Sequence, residues 1–143
     1  MTRITLLGPG DEATLQNLPA DLFDRPVRDE LLREFLADPR HHLAVALDED
    51  RVVGFASAVH YVHPDKDAEL WINEVGVVPD HRRRGLGAKL VRALLDLAAD
   101  LDCREAWVLT ERGNEAALRL YESLEGVQPA TEAVMFSFVV PGT

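Results

Sequence analysis

Arg82, Arg83 and Arg84 stand directly before Gly85-Leu86-Gly87, in a chain of 143 residues with a formal net charge of -10, from 25 Asp and Glu against 15 Lys and Arg. That much positive charge on so little backbone bulk has a chemical use. Glycines let a ligand approach the main chain, and the free N–H groups of a helix start, with the helix dipole behind them, form an anion site. Arginine forks match phosphate oxygens. The segment Arg82, Arg83, Arg84, Gly85, Leu86, Gly87, Ala88 therefore predicts a pyrophosphate cradle. A dinucleotide fingerprint would need its third glycine where Leu90 stands, and no Walker lysine-hydroxyl pair follows. Taken alone, the segment also reads as a solvated basic helix start behind a glycine loop.

The elements around this segment follow from apolar periodicity. Arg3–Leu7 reads as a strand, Gly8-Pro9-Gly10 breaks the chain, and Asp11 is placed to cap a brief helix that Pro19 stops. Leu31, Leu32, Phe35 and Leu36 recur at helical spacing before Pro39. Residues 41–47 and 51–62 read as a strand pair around Asp48-Glu49-Asp50, and Glu69–Val78 as a third strand. Leu86, Leu90, Val91, Leu94, Leu95 and Ala98 share one face of the next helix, and Ala106–Thr110 is again a strand. Strand, helix and strand in that order predict a parallel pair with a right-handed crossover, with function at the carboxyl ends of the strands. Asn114 is a cap for a last helix striped by Ala117, Leu120, Tyr121 and Leu124, and Ala133–Val140 predicts a final strand. The fold class is mixed α/β in a single domain, residues 1–143.

The run Val75-Gly76-Val77-Val78-Pro79, then Arg82-x-x-Gly85-x-Gly87, resembles the strand and Arg/Gln-x-x-Gly-x-Gly/Ala signature of the GCN5-related N-acetyltransferases, and Asn114 with Ala117 and Leu120–Leu124 is similar to the second half of that family's core. The resemblance spans residues 42 to 124. It implies a central, mostly antiparallel sheet with one parallel βαβ pair and helices on both faces, and acetyl-CoA as co-substrate. By the same resemblance, main chain at Val75, Gly76 and Val77 holds the pantetheine arm, Arg82 to Ala88 the pyrophosphate, and Asn114, Ala117 and Tyr121 the cofactor from the far side. One departure is visible: Glu125 stands where the family usually has the glycine after its last helix, with Gly126 and Val127 following.

Acetyl transfer to an amine needs a proton acceptor, a donor for the developing oxyanion and a proton for the leaving thiolate. Glu74, one residue before Val75 in a strand otherwise apolar enough to be largely buried, is the candidate base, and its alternative is a carboxylate on the strand's solvent face. A main-chain N–H near Val75 or Gly76 is the candidate oxyanion donor, since a glycine within a strand marks a bulge or a close ligand approach. Tyr121 matches the tyrosine that many family members use as general acid; its alternative is core packing. Cys103 has no neighbouring base and reads as filler, Trp71 and Trp107 as packing residues, with Trp71 also placed to line a substrate cleft. His41-His42 and His60-x-x-His63 lack the Cys or acidic clustering of a closed zinc site, so no metal is expected.

The stretch Ala68–Val77, with residues 21–27 and 132–138, is similar to the small type I aminoglycoside 3-N-acetyltransferases. That resemblance implies an acceptor cleft holding Asp24, Glu69, Trp71, Asn73, Glu74, Glu111 and Glu132, and a polycationic aminosugar acetylated at its 3-amino group. Other amines (a polyamine, an amino acid, a protein amino terminus) stay open, as does a non-catalytic acyl-CoA binding module. The acidic balance argues for a small cationic partner and against nucleic acid. With no apolar span for a membrane and one cysteine, the cytoplasm is the expected location, and the apolar end Met135–Val140 suggests a homodimer.

Overall fold

The computed structural model describes residues 1–142. Five strands form one sheet in the order β1-β2-β3-β4-β5, where β1 is Thr2–Leu7, β2 His41–Asp48, β3 Arg51–Tyr61, β4 Glu69–Val77 and β5 Glu105–Val108. The first four strands run antiparallel to one another along the sheet. β4 and β5 are parallel, joined by helix α2, Leu86–Asp100. Helix α1 is Asp29–Ala37 and helix α3 is Glu115–Ser123. The mixed architecture expected from the sequence is therefore present.

Alternation along the strands divides the core in two. Ala44, Ala46, Val53, Ala56, Ala58, Leu70 and Ile72 face α2, whose Leu86, Leu90, Val91, Leu94 and Ala98 are buried against them, and α3 packs partly on the same side through Leu120, Tyr121 and Leu124. Leu43, Val45, Leu47, Val52 and Phe55 face the other way, toward Leu32 and Leu36 of α1 and Leu15 of a short 3-10 turn, Glu12–Leu15. Because helices cover both faces of β2, its residues 43–47 form an unbroken buried run. Small residues on the α2 face bring that helix close: a Cβ on Gly54 would meet Leu90 Cδ1 at 3.2 Å.

Two irregularities shape the second half of β4. Ser57 of β3 pairs with Glu74 while Ala58 pairs with Ile72, so Asn73 is an extra residue bulged out of the ladder. Pairing with β5 covers only Glu69 to Ile72, against Glu105 to Val108. From Asn73 onward the two strands part, and the β5 side of β4 has no neighbouring strand.

Four local expectations are corrected. Asp11 does not cap the 3-10 turn; its carboxylate accepts from the Gly8 N–H at 2.7 Å. Leu31 is exposed, because α1 touches the sheet through Leu32 and Leu36 alone among its fully buried residues. Gly76 is not the bulge, which falls at Asn73; the close approach at Gly76 comes from Phe55 Cε1, 3.0 Å from where its Cβ would stand, and from the Leu22 carbonyl at 3.4 Å. Residues 133–140 form no strand, since a strand needs a partner for its backbone groups and none lies beside them among the described residues.

Candidate active site

The parting of β4 from β5 opens a slot whose walls are set by ladder geometry. In an antiparallel pair, residues alternate between exchanging both main-chain bonds with the partner and turning both away. Val78 donates to the Val53 carbonyl at 2.9 Å, so the alternation turns the N–H and C=O of Val77 and of Val75 away from β3, into the slot. Arg82 Nε donates to the Val77 carbonyl at 2.9 Å, which occupies one of these groups and ties the following loop to the strand. The N–H and C=O of Val75 and the N–H of Val77 are left to face a ligand.

The anion cradle begins five residues after Val77. Arg83 at φ 65° and Gly85 at φ 76° both take the left-handed conformation, winding the chain so that Leu86 starts α2 behind them. Glycine suits position 85 for this reason. The first turns of α1 and α3 carry acids, Asp29 with Glu30 and Glu115, whereas the first turn of the 15-residue α2 carries none. Its free N–H groups and dipole therefore face an approaching anion without a competing carboxylate. Arg83 and Arg84 are exposed at this mouth; Leu86 is buried and offers only its main chain. Gly87 does more than admit a ligand, because a Cβ there would lie 3.3 Å from Leu120 Cδ2, so glycine also seats α3 on α2.

A residue that sequence reasoning missed holds the cradle in place. His81, 6% exposed, has Nε2 at 2.8 Å from Asp48 Oδ2 and Nδ1 at 3.0 Å from Asp80 Oδ1, so that its protonated ring donates to both carboxylates. The hydrogen bonds to Asp48 and then Asp80 raise its pKa, against the opposing pull of its burial and of Arg84, and lower those of both carboxylates. The clamp links the loop before Arg82 to the far end of β2. No local spacing connects positions 48 and 81, so only the folded hairpin could reveal it.

On the α1 side of the slot, Glu74 shares a face with Ser57 and Gly76. Glu74 is solvent-exposed, a correction to the expected buried carboxylate, because the bulge at Asn73 carries it to the open edge. The protein around its carboxyl, and secondly the charge of Asp24, still raise its pKa above the usual 4.5. The loop carrying Asp24 is held over β4 by Phe23, stacked on Phe55 at 4.0 Å between ring centroids. The same loop lines a cleft of about 630 Å³ with Asn17, Asp21, Asp24 and α1 residues Asp29 and Leu32. Trp71 and Trp107, partners in the β4–β5 register, stack at 4.9 Å and 10°, and Trp107 Nε1 donates to Tyr61 Oη at 2.9 Å. Trp71 keeps 37% of its surface exposed.

Tyr121 lies on the opposite face of the sheet, half-buried on α3 against the α2-side core, and burial raises its phenol pKa. Asn114 caps α3: its Oδ1 accepts from the Ala117 N–H at 3.1 Å, leaving its amide NH₂ for other contacts. Glu125 adopts φ 68°, the left-handed conformation the expected glycine would take, and Gly126 donates to the Tyr121 carbonyl at 2.9 Å. Of the expected acceptor-cleft residues, Asp24 acts on Glu74, and Trp71 and Asn73 are exposed on the same strand as Glu74. Glu69 is engaged elsewhere, 3.1 Å from His63 Nε2 and 3.5 Å from Lys66 Nζ. Glu111 lies in the exposed loop after β5, and Glu132 in the exposed segment after Gly126, where neither forms an ion pair among the described residues.

The model of the acetyltransferase (GNAT) family matches residues 12–126. The chain belongs to this family. Among its curated relatives, N-alpha-acetyltransferase 30 of Schizosaccharomyces pombe is 35% identical over 80 residues, 56% of this chain and 53% of that protein. N-alpha-acetyltransferase RimI of Mycobacterium tuberculosis is 30% identical over 123 residues, 85% of this chain and 75% of that one. The chain thus spans little more than half the length of the first of these GNAT relatives. Its fold is that of an aminoglycoside acetyltransferase from an uncultured soil metagenomic sample in complex with sisomicin, with a TM-score of 0.83 at 21% identity, covering 98% of this chain and 97% of the other. No helix among the described residues is long and apolar enough to cross a membrane.

Proposed function

We propose that the protein transfers the acetyl group of acetyl-CoA to an amine of a small polycationic aminosugar. The slot between β4 and β5 supports the acyl donor: it exposes main chain at Val75 and Val77 in line with an acid-free helix start at Leu86. The Val75 groups and the Val77 N–H hold the pantetheine amides. The α2 N–H groups, with Arg83, Arg84 and the terminal nitrogens of Arg82, hold the pyrophosphate, and the Asn114 amide faces the cofactor from α3. The thioester supplies the acetyl group; the chain orients it and moves the protons. Glu74 takes a proton from the substrate's ammonium, directly or through water, so that the neutral amine attacks the thioester carbonyl, and its raised pKa makes it a better base. Tyr121, kept protonated by burial, gives one to the departing thiolate.

The substrate class rests on one observation above the others: Asp24 lies close enough to Glu74 to raise its pKa, and Trp71, three residues before Glu74 on the same strand, keeps part of its indole exposed, so two carboxylates and an aromatic surface are available to the amine. Carboxylates draw in a multiply protonated ligand, and the apolar face of a sugar packs on an indole. A protein amino terminus is the second reading, because two relatives by sequence are N-alpha-acetyltransferases. Thiol release from acetyl-CoA, measured against gentamicin-like aminoglycosides, polyamines and amino-terminal peptides, separates the two. A kcat/KM for aminoglycosides above that for peptides is expected, with modification at one ring amine, the 3-amino group. Peptide acetylation at equal or higher kcat/KM overturns the aminosugar reading and leaves acetyl transfer standing.

A further inference from the structure

Gly76 stands in the wall of the slot but does not serve it. Val75 and Val77 turn their main-chain groups into the slot, and the same alternation turns those of Gly76 toward Phe55, its partner on β3. Its carbonyl oxygen lies on that side, 3.1 Å from where a Cβ on Gly54 would stand. A glycine inside a strand gives up side-chain packing and weakens the ladder, and it marks a place where another backbone comes close. That backbone belongs to the loop of residues 17–27. The space a side chain at position 76 would fill is taken by Phe55 Cε1 at 3.0 Å and by the Leu22 carbonyl oxygen at 3.4 Å. Phe55, 1% exposed, carries Phe23 stacked on its ring. Leu22 and Phe23 therefore rest on β4 over a position with no Cβ, and Asp24 follows them directly in the chain. The approach to this contact is shaped by Asn17 at φ 59° and Asp21 at φ 67°, and the Leu22 N–H donates to the Pro19 carbonyl at 3.4 Å.

We propose that Gly76 is a positioning residue for the acceptor: by having no side chain it lets the loop of residues 17–27 settle to the depth that brings Asp24 near Glu74, and so sets the acceptor cleft. The inference rests on the role of Glu74 in acetyl transfer and adds to it what holds the second carboxylate in place. A methyl group at position 76 needs room that a fully packed ring can yield only by moving, and Phe55 cannot move without carrying Phe23 and the loop with it. The same loop lines the cleft of about 630 Å³, so its height above β4 fixes the width of that cleft as well as the distance between the two acids.

Gly76→Ala has two readouts. The ionisation of the Glu74 carboxyl, followed by heteronuclear NMR through a pH titration, needs no substrate. The protein around that carboxyl and the charge of Asp24 keep it protonated to higher pH, so lifting the loop is expected to move its titration to lower pH, in the direction of Asp24→Asn. With an aminosugar as acceptor, its KM is expected to rise roughly tenfold, less than the ~10²-fold that about 1 Å of misplacement can cost, while coenzyme A affinity by calorimetry changes less. Phe23→Ala loosens the same stack from the loop side and leaves β4 intact, which keeps the test decisive if circular dichroism shows that Gly76→Ala does not fold. It is expected to move the Glu74 titration the same way, and in the double variant the two shifts are expected not to add, because both act through one stack. A Glu74 titration that stays in place in the folded variants overturns the proposal. So does an aminosugar KM that keeps its wild-type value while the titration moves, or a pair of shifts that add in full. A wild-type protein that acetylates no aminosugar overturns the substrate reading instead, and the titration then decides by itself whether Gly76 seats the loop.

Discussion

At Glu74 a single carboxylate carries two opposing demands, to stay ionised enough to accept a proton and basic enough to want one. Its exposure keeps it in contact with solvent, while the surrounding protein and Asp24 raise its pKa. Glu74→Gln is expected to lower kcat by ~10²- to 10⁴-fold, the usual contribution of a positioned base, with coenzyme A affinity by calorimetry nearly unchanged. Asp24→Asn removes the charge that raises that pKa, so the acid limb of the kcat/KM profile is expected to move to lower pH. An unmoved limb means that a different group titrates there. Tyr121→Phe keeps the ring that packs on the α2 face and removes only the proton, so it should slow turnover less than Glu74→Gln and leave the melting temperature in place.

The cradle at the start of α2 depends on contacts made by other elements. Gly87 seats Leu120 of α3 as well as admitting a ligand, so Gly87→Val is expected to lower both melting temperature and coenzyme A affinity. Adding Leu120→Ala restores part of the melting temperature through relief of the contact; affinity stays low if backbone approach is what the ligand needs, and its recovery would show that the loss came from displaced α3 alone. The His81 clamp has a pH signature with a fixed sign. Its raised pKa means that its stabilisation is full below the ordinary 6.5 and is lost as pH rises through the folded value. Asp48 and Asp80, lowered from 3.8, contribute fully above that value and lose it as pH falls through their folded values. The difference in melting temperature between wild type and His81→Gln is therefore expected to be greatest between about pH 4 and 6.5. A difference that is flat from pH 5 to 9 means that His81 titrates alike folded and unfolded.

Over the whole molecule the net charge is -10, with three of the 15 Lys and Arg residues side by side at one helix start. A polycation is drawn along the resulting field, and at 0.1 M salt that field reaches only ~10 Å. The apparent KM for an aminoglycoside is accordingly expected to rise with ionic strength while kcat changes little. A KM indifferent to salt means that the acids around Asp24 and Asp21 do no steering.

The order of strands and helices, the buried stripe of α2 and the glycine-arginine segment were legible in the sequence because each rests on local spacing: a period of two, a period near 3.6, or arginines and glycines together at a helix start. The site residues were legible as types and not as places. Which main-chain groups of β4 face the slot depends on where β5 stops pairing. That Glu74 stands at an open edge depends on a bulge at Asn73, and that Glu69 is taken up by His63 and Lys66 depends on how the loop of residues 62–68 returns. Asp48 meets His81 across 33 positions of sequence. Such contacts are set by the packing of distant elements, to which local periodicity is blind. The final strand read in Ala133–Val140 shows the same division: its apolar alternation is written in the sequence, but a strand exists only where another backbone stands beside it, and tertiary structure alone decides that.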